Sequence, residues 1–386
     1  MSERLKKSYA LWEKARGLIL CGANTLSKSP RHIAPGACPV YVDRSEGAYF
    51  WDVDGNRYLD FPLGLGAVVL GHAHPRVEDA VAAQLRRGSL HSLNSPLEVE
   101  LAERLCGIIP CCEKLRLVKS GSEAMSAAVR LAKAFTGRDV VAVCGYHGWH
   151  DWTVARMGRD AGVPGCLKDL VATFSYNDPA SLAAVFAAYP GRVAAVVMEP
   201  VGFDAPVDAF LENVAEMVRR EGALLVFDEV LTGFRLSLGG AQEYFGVVPD
   251  LAGFGKALAN GHGLSLVCGR REIMDAVEER VFISSTFGGE TGPIAAALAT
   301  LDELAEPGAM ARLRAAGVSL REGLGQVLAT SGLDAVCKGL PHKSSVSFSE
   351  QSGVSARTLD TLFRARCLER GVFLGYGHFM SLAHGQ

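Results

Sequence analysis

The 386 residues are 49% hydrophobic and 21% charged, with a formal net charge of −3. That is enough apolar material for a sizeable core and more chain than one ordinary domain holds, so two domains are expected and bulk disorder is excluded. No run of Lys or Arg exceeds two residues, which argues against a nucleic-acid partner.

The start of the chain, Met1 to Tyr9, is charged and polar, with neither signal-peptide nor membrane-span character. Ten cysteines are scattered without a CxxC pair, so reduced thiols, no metal site and a cytosolic protein are expected.

Residues 72 to 110 read as helical, with Val77, Ala80, Val81 and Leu85 at helical spacing and a second such segment after Pro96. From about 115 the texture changes to short apolar runs, each followed by a turn and an amphipathic helix. The runs are 115–118, 140–144, 193–198, 224–227 and 264–268. Their lack of alternation predicts parallel strands covered on both faces, in one open α/β sheet. Beyond about 298 a long helix over 309–329 and short segments at 346–348 and 372–374 suggest a smaller α+β domain. Residues 1–44 are expected to join it, leaving 45–297 as the large domain and 298–386 as the small one.

In such a sheet the ligand crevice lies outside the carboxyl ends of the strands. Five places there stand out. Ser120-Gly121-Ser122 opens a helix, where backbone N–H groups and the dipole suit a phosphate, although an ordinary N-cap has the same sequence. Tyr146 lies between Gly145 and the His147-Gly148 pair, suited to stacking on a flat ring or to packing at a rim. Glu199 and Asp228 end apolar runs, where a carboxylate needs a partner and a cationic ligand atom or a helix N-terminus provides one. Lys256 is the sole lysine between Lys168 and Lys338 and is set among Gly, Ala and Leu, where desolvation favours a nucleophilic amine. A lysine, a carboxylate, a helix N-terminus and an aromatic ring are together what pyridoxal phosphate requires.

The chain resembles the class III aminotransferases, nearest the glutamate-1-semialdehyde aminomutase branch. The resemblance is carried by YFWDVDGNRYLDF, GHAHP, SGSEAMSAAVRLAKAFTGRD, YHGWHD, MEPV, LLVFDEVLTGFR, YFGVVPDLAGFGKALANG and STFGG, in the family's order over most of residues 20–384. It implies the fold-type I architecture, with a large cofactor domain and a smaller domain built from both chain ends. It further implies that Lys256 forms the Schiff base with the cofactor and Asp228 holds the pyridine nitrogen protonated. Ser120, Gly121 and Ser122 bind the phosphate, Tyr146 and Val230 cover the two ring faces, and His147 and Glu199 support them. Thr286 matches a threonine that completes the partner subunit's phosphate site, which implies a homodimer with shared active sites.

Three departures bear on the substrate. Thr25 and Lys28 stand where the aminomutases carry a serine and an arginine for the substrate carboxylate, with Arg31 close by as a substitute. Lysine does not reproduce a bidentate guanidinium clamp. The loop 156–170 is shorter than the mutase lid, and Glu290 replaces an asparagine. The chain also stops at Gln386, where the family continues for about another helix, so a shortened small domain is expected. The reading favours transfer of an amino group to a small-metabolite, sugar-like or natural-product carbonyl. An aminomutase or racemase on the same scaffold is the alternative, and a non-catalytic protein that binds the cofactor is the alternative of another class.

Overall fold

The computed structural model describes residues 3–385 and divides the chain into two compact units. One comprises the residues up to Pro75 and from Ala311; the other is Arg76–Met310. These boundaries differ from the 44 and 297 expected from sequence. The reason lies in pairing: β1 (Val42–Glu46), β2 (Tyr49–Asp52) and β3 (Arg57–Asp60) form a sheet whose fourth strand comes from near the other chain end.

The central unit holds a seven-stranded sheet. Its strands are β4 (Lys114–Val118), β5 (Val140–Cys144), β6 (Val171–Thr173), β7 (Val193–Met198), β8 (Leu224–Asp228), β9 (Leu251–Phe254) and β10 (Ser265–Gly269), in the order β4-β10-β9-β8-β7-β5-β6. β5, β7 and β8 are buried at every residue, which explains their apolar, non-alternating sequences.

The run 264–268 was expected to be parallel, and it is not: β10 is antiparallel to both β9 and β4. Only ten residues separate β9 from β10, too few for the crossover that a parallel neighbour needs. Two reversals restore direction, so β4 runs parallel to β9. The carboxyl ends of β4, β5, β7, β8 and β9 therefore share one edge.

The helix Gly121–Thr136 packs on this sheet through Ala124, Met125, Ala128, Leu131 and Ala132, all buried. Its start is fixed by a capping box, in which Ser120 Oγ accepts from Glu123 N and the Glu123 carboxylate accepts from Ser120 N. Gly137, at φ 67°, ends it in the left-handed conformation. Together with strand residues such as Val141, Val143, Val197 and Val226, this helix forms the unit's core.

In the other unit one sheet has the order β1-β2-β3-β13, with β13 (Val372–Phe373) on β3, and a second has the order β11 (Ala335–Leu340), β12 (Lys343–Phe348), β14 (His378–Phe379). A separate small core is built around Ile33, Phe50, Tyr58 and Leu368. Among the described residues no helix is long and apolar enough to cross a membrane, and no cluster of metal-ligating side chains occurs.

Candidate active site

The candidate residues that end or follow β4, β5, β7, β8 and β9 lie at the shared edge. After β4, Gly121 and Ser122 occupy the first helical turn, whose N–H groups precede any intrahelical acceptor. Neighbouring loops close on this turn. A β-carbon at Gly121 would fall 2.9 Å from Val230 Cγ1, and one at Gly148 would overlap Ser122 Oγ. Ser122 Oγ also accepts from Trp149 N at 3.3 Å. The turn is a cradle with no room for side chains at Gly121 or Gly148, with N–H groups lining it and the helix dipole beneath. This suits a phosphate.

Asp228, the last residue of β8, is buried. Its Oδ1 accepts from Val230 N at 3.1 Å, and its Oδ2 lies 2.9 Å from His147 Nδ1. The other ring nitrogen, Nε2, lies 3.0 Å from the Cys144 carbonyl oxygen, which only accepts. The imidazole thus bridges the Asp228 carboxylate and the Cys144 carbonyl, which fixes its ring orientation. Burial, and after it the charge of Asp228, raise the pKa of the Tyr146 phenol, whose ring is half-exposed.

Glu199 follows β7 and is half-buried. Its charge reinforces the effect of burial on Cys144, whose pKa is pushed up to about 11. Lys256 follows β9 through Gly255, half-buried between Phe254 and Ala257 to Ala259, which are buried. Its φ of 45° is the left-handed region that non-glycine residues rarely occupy, a strain typical of a residue held in place for its side chain.

Thr286 is exposed on the segment between the helices Arg271–Val277 and Thr291–Ala305. Thr25, Lys28 and Arg31 belong to the terminal unit, with Lys28 and Arg31 exposed and Thr25 half-buried. Sequence reasoning missed two features. Glu229 is fully buried and accepts from Thr232 Oγ1, Ala241 N at 2.7 Å and Gln242 N at 2.8 Å. It ties the loop after β8 to that strand. The second is an ion pair between Lys119 and Glu290 beside the cradle. The Ser120-to-Glu123 spacing was a readable capping signal, whereas nothing in the sequence pairs residues 119 and 290.

The class III aminotransferase family model matches residues 32–375. The chain belongs to the class III aminotransferases. This aminotransferase is 35% identical over 383 residues to the 3-aminobutyryl-CoA aminotransferase of Cloacimonas acidaminovorans, covering 97% of this chain and 92% of that one. It is 38% identical over 380 residues to the glutamate-1-semialdehyde 2,1-aminomutase of Thermomicrobium roseum, covering 94% and 88%. Among solved structures it is similar to the FumI protein of Sphingopyxis sp. MTA144 in its PLP internal aldimine form. The TM-score is 0.89, with 31% identity over 98% of this chain and 92% of that one. The aminotransferase thus has the fold-type I architecture of its neighbours, a mixed α/β sheet covered by helices. The glycine cradle, the strained lysine and the buried Asp228–His147 pair fit pyridoxal phosphate.

Proposed function

We propose that this chain is a pyridoxal-phosphate aminotransferase moving an amino group between an amino donor and a carbonyl-bearing small metabolite, sugar-like compound or natural-product intermediate. The observation that carries the reading is the buried Asp228–His147 pair at the end of β8, on the sheet edge where the adjacent β9 delivers Lys256. Bound pyridoxal phosphate supplies an electron sink for the carbon that loses its proton. The protein's part is to hold, orient and move protons. Lys256 Nζ anchors the cofactor and, displaced by the donor amine, is the general base that takes and returns the proton. Asp228 keeps a proton on the ring nitrogen and is itself held by His147 Nδ1 and Val230 N.

Gly121 and Ser122 N–H groups bind the phosphate at the helix start, with Ser120 as its cap. Tyr146 and Val230 cover the two ring faces, and Glu199 stands by the ring hydroxyl. Thr286, exposed in the protomer, serves the partner's phosphate site, so the working unit is a homodimer. Thr25, Lys28 and Arg31 are the candidates for a substrate carboxylate. All ten cysteines are free thiols, which supports a cytosolic location.

The test is absorbance. The purified protein with cofactor is expected to show the band of the lysine-bound form, and Lys256→Ala is expected to lose it along with transamination. A wild type that stays colourless with cofactor would contradict the reading. The Thermomicrobium relative keeps an aminomutase in view. A half-reaction with excess donor separates the two: free keto product marks transfer, whereas turnover without an acceptor marks isomerisation.

A further inference from the structure

The segment that carries Thr286 is pinned to the same strand and helix that make the phosphate cradle. At its front, Arg130 on the helix Gly121–Thr136 donates to Phe282 O at 2.7 Å, and Arg116 on β4 donates to Ile283 O at 2.9 Å. In its middle a β-carbon at Gly288 would come within 2.7 Å of Leu117 O, so the segment lies directly on the backbone of β4. At its back Lys119 Nζ pairs with the Glu290 carboxylate, both side chains about 30% exposed.

Lys119 immediately precedes Ser120, and Glu290 is the N-cap of the helix Thr291–Ala305. The pair therefore joins the last residue before the cradle to the residue where the Thr286 segment ends. Glu290 neutralises Lys119, so the two together offer the phosphate no net positive charge. A tie between segments, rather than a counter-ion, is the role this arrangement suits.

We infer that Lys119 and Glu290 are a positioning pair that fixes the Thr286 segment against the phosphate-binding turn, so that one protomer's pair governs cofactor retention in its partner's site. The inference rests on the proposed homodimer with shared phosphate sites. Neither residue touches the reacting atoms.

The experiment is a titration of the apoprotein with pyridoxal phosphate, using wild type, Glu290→Gln, Lys119→Gln and the double variant, with thermal melts to confirm folding. A partly exposed pair of this kind predicts about fivefold weaker binding for each single change, with the double no weaker than the worse single. Tighter binding in Glu290→Gln alongside weaker binding in Lys119→Gln would overturn the inference and make Lys119 a direct counter-ion. Equal binding in all four would overturn it as well.

Mixed dimers supply the second arm. With Lys256→Ala and Glu290→Gln in one protomer, the sole lysine-bound cofactor lies in the other, and its retention is expected to fall. With Glu290→Gln placed instead in the protomer that keeps Lys256, retention is expected to match wild type. The reverse pattern would show action within one protomer and sink the inference. A wild type that binds no cofactor would instead sink the proposed function, which keeps the two failures apart.

Discussion

Asp228 illustrates how much one buried side chain depends on its neighbour. Its two oxygens are met by Val230 N and by His147, and His147 is oriented by the Cys144 carbonyl. Replacing His147 with Phe keeps a ring and removes both nitrogens, leaving a buried carboxylate short of a partner. Cofactor binding is expected to weaken about tenfold, and the pH dependence of the cofactor's absorbance to shift, whereas a merely space-filling histidine would leave that pH profile unmoved. Gly121 is legible for a different reason. An added methyl group meets Val230 at 2.9 Å, so Gly121→Ala is expected to raise the dissociation constant for pyridoxal phosphate. Gly121→Ala/Val230→Ala is expected to recover part of the loss. No recovery would mean that the methyl blocks the phosphate itself rather than pushing on Val230.

At the scale of elements, the strands buried on both faces were the most readable, because burial forces a continuous apolar run. β5 and β7 match the runs at 140–144 and 193–198 residue for residue. Direction was not readable. β10 is as apolar as its neighbours, and only the short connection from β9 makes it antiparallel. β6, with three residues, was too short to stand out. The candidate residues that follow strands could be placed because the strands themselves were readable, whereas Lys119 and Glu290 are 171 residues apart and join only through the fold.

β14 provides an element-scale prediction. His378 is buried, its Nδ1 is 3.2 Å from Ser344 Oγ, and burial and then Arg364 push its pKa down to about 4. The unfolded chain then binds a proton that the folded chain refuses. Stability is full above the ordinary histidine pKa of about 6.5 and is lost as pH falls from there toward about 4. The loss is on the order of 3 to 4 kcal/mol at most, by the linkage of about 1.4 kcal/mol per pKa unit. Denaturant melts at pH 7.5 and pH 5 are expected to differ less for His378→Gln than for wild type. An equal pH dependence would rule His378 out as the source.

For the molecule as a whole, the chain ends form one compact unit and the middle forms the other, an organisation hinted at by the change of rhythm beyond about residue 298. The boundaries were less legible, because the strands 42–60 look like the start of the large domain until β13 is seen to pair with β3, Val372 opposite Leu59. The proposed chemistry is concentrated at one sheet edge of the central unit and depends on a covalent link to one amine. Borohydride reduction of the cofactor-loaded protein, followed by peptide mapping, reads that link out. A single pyridoxyl adduct on the peptide containing Lys256 is expected. An adduct on another lysine, or none in a protein that holds the cofactor, would contradict it.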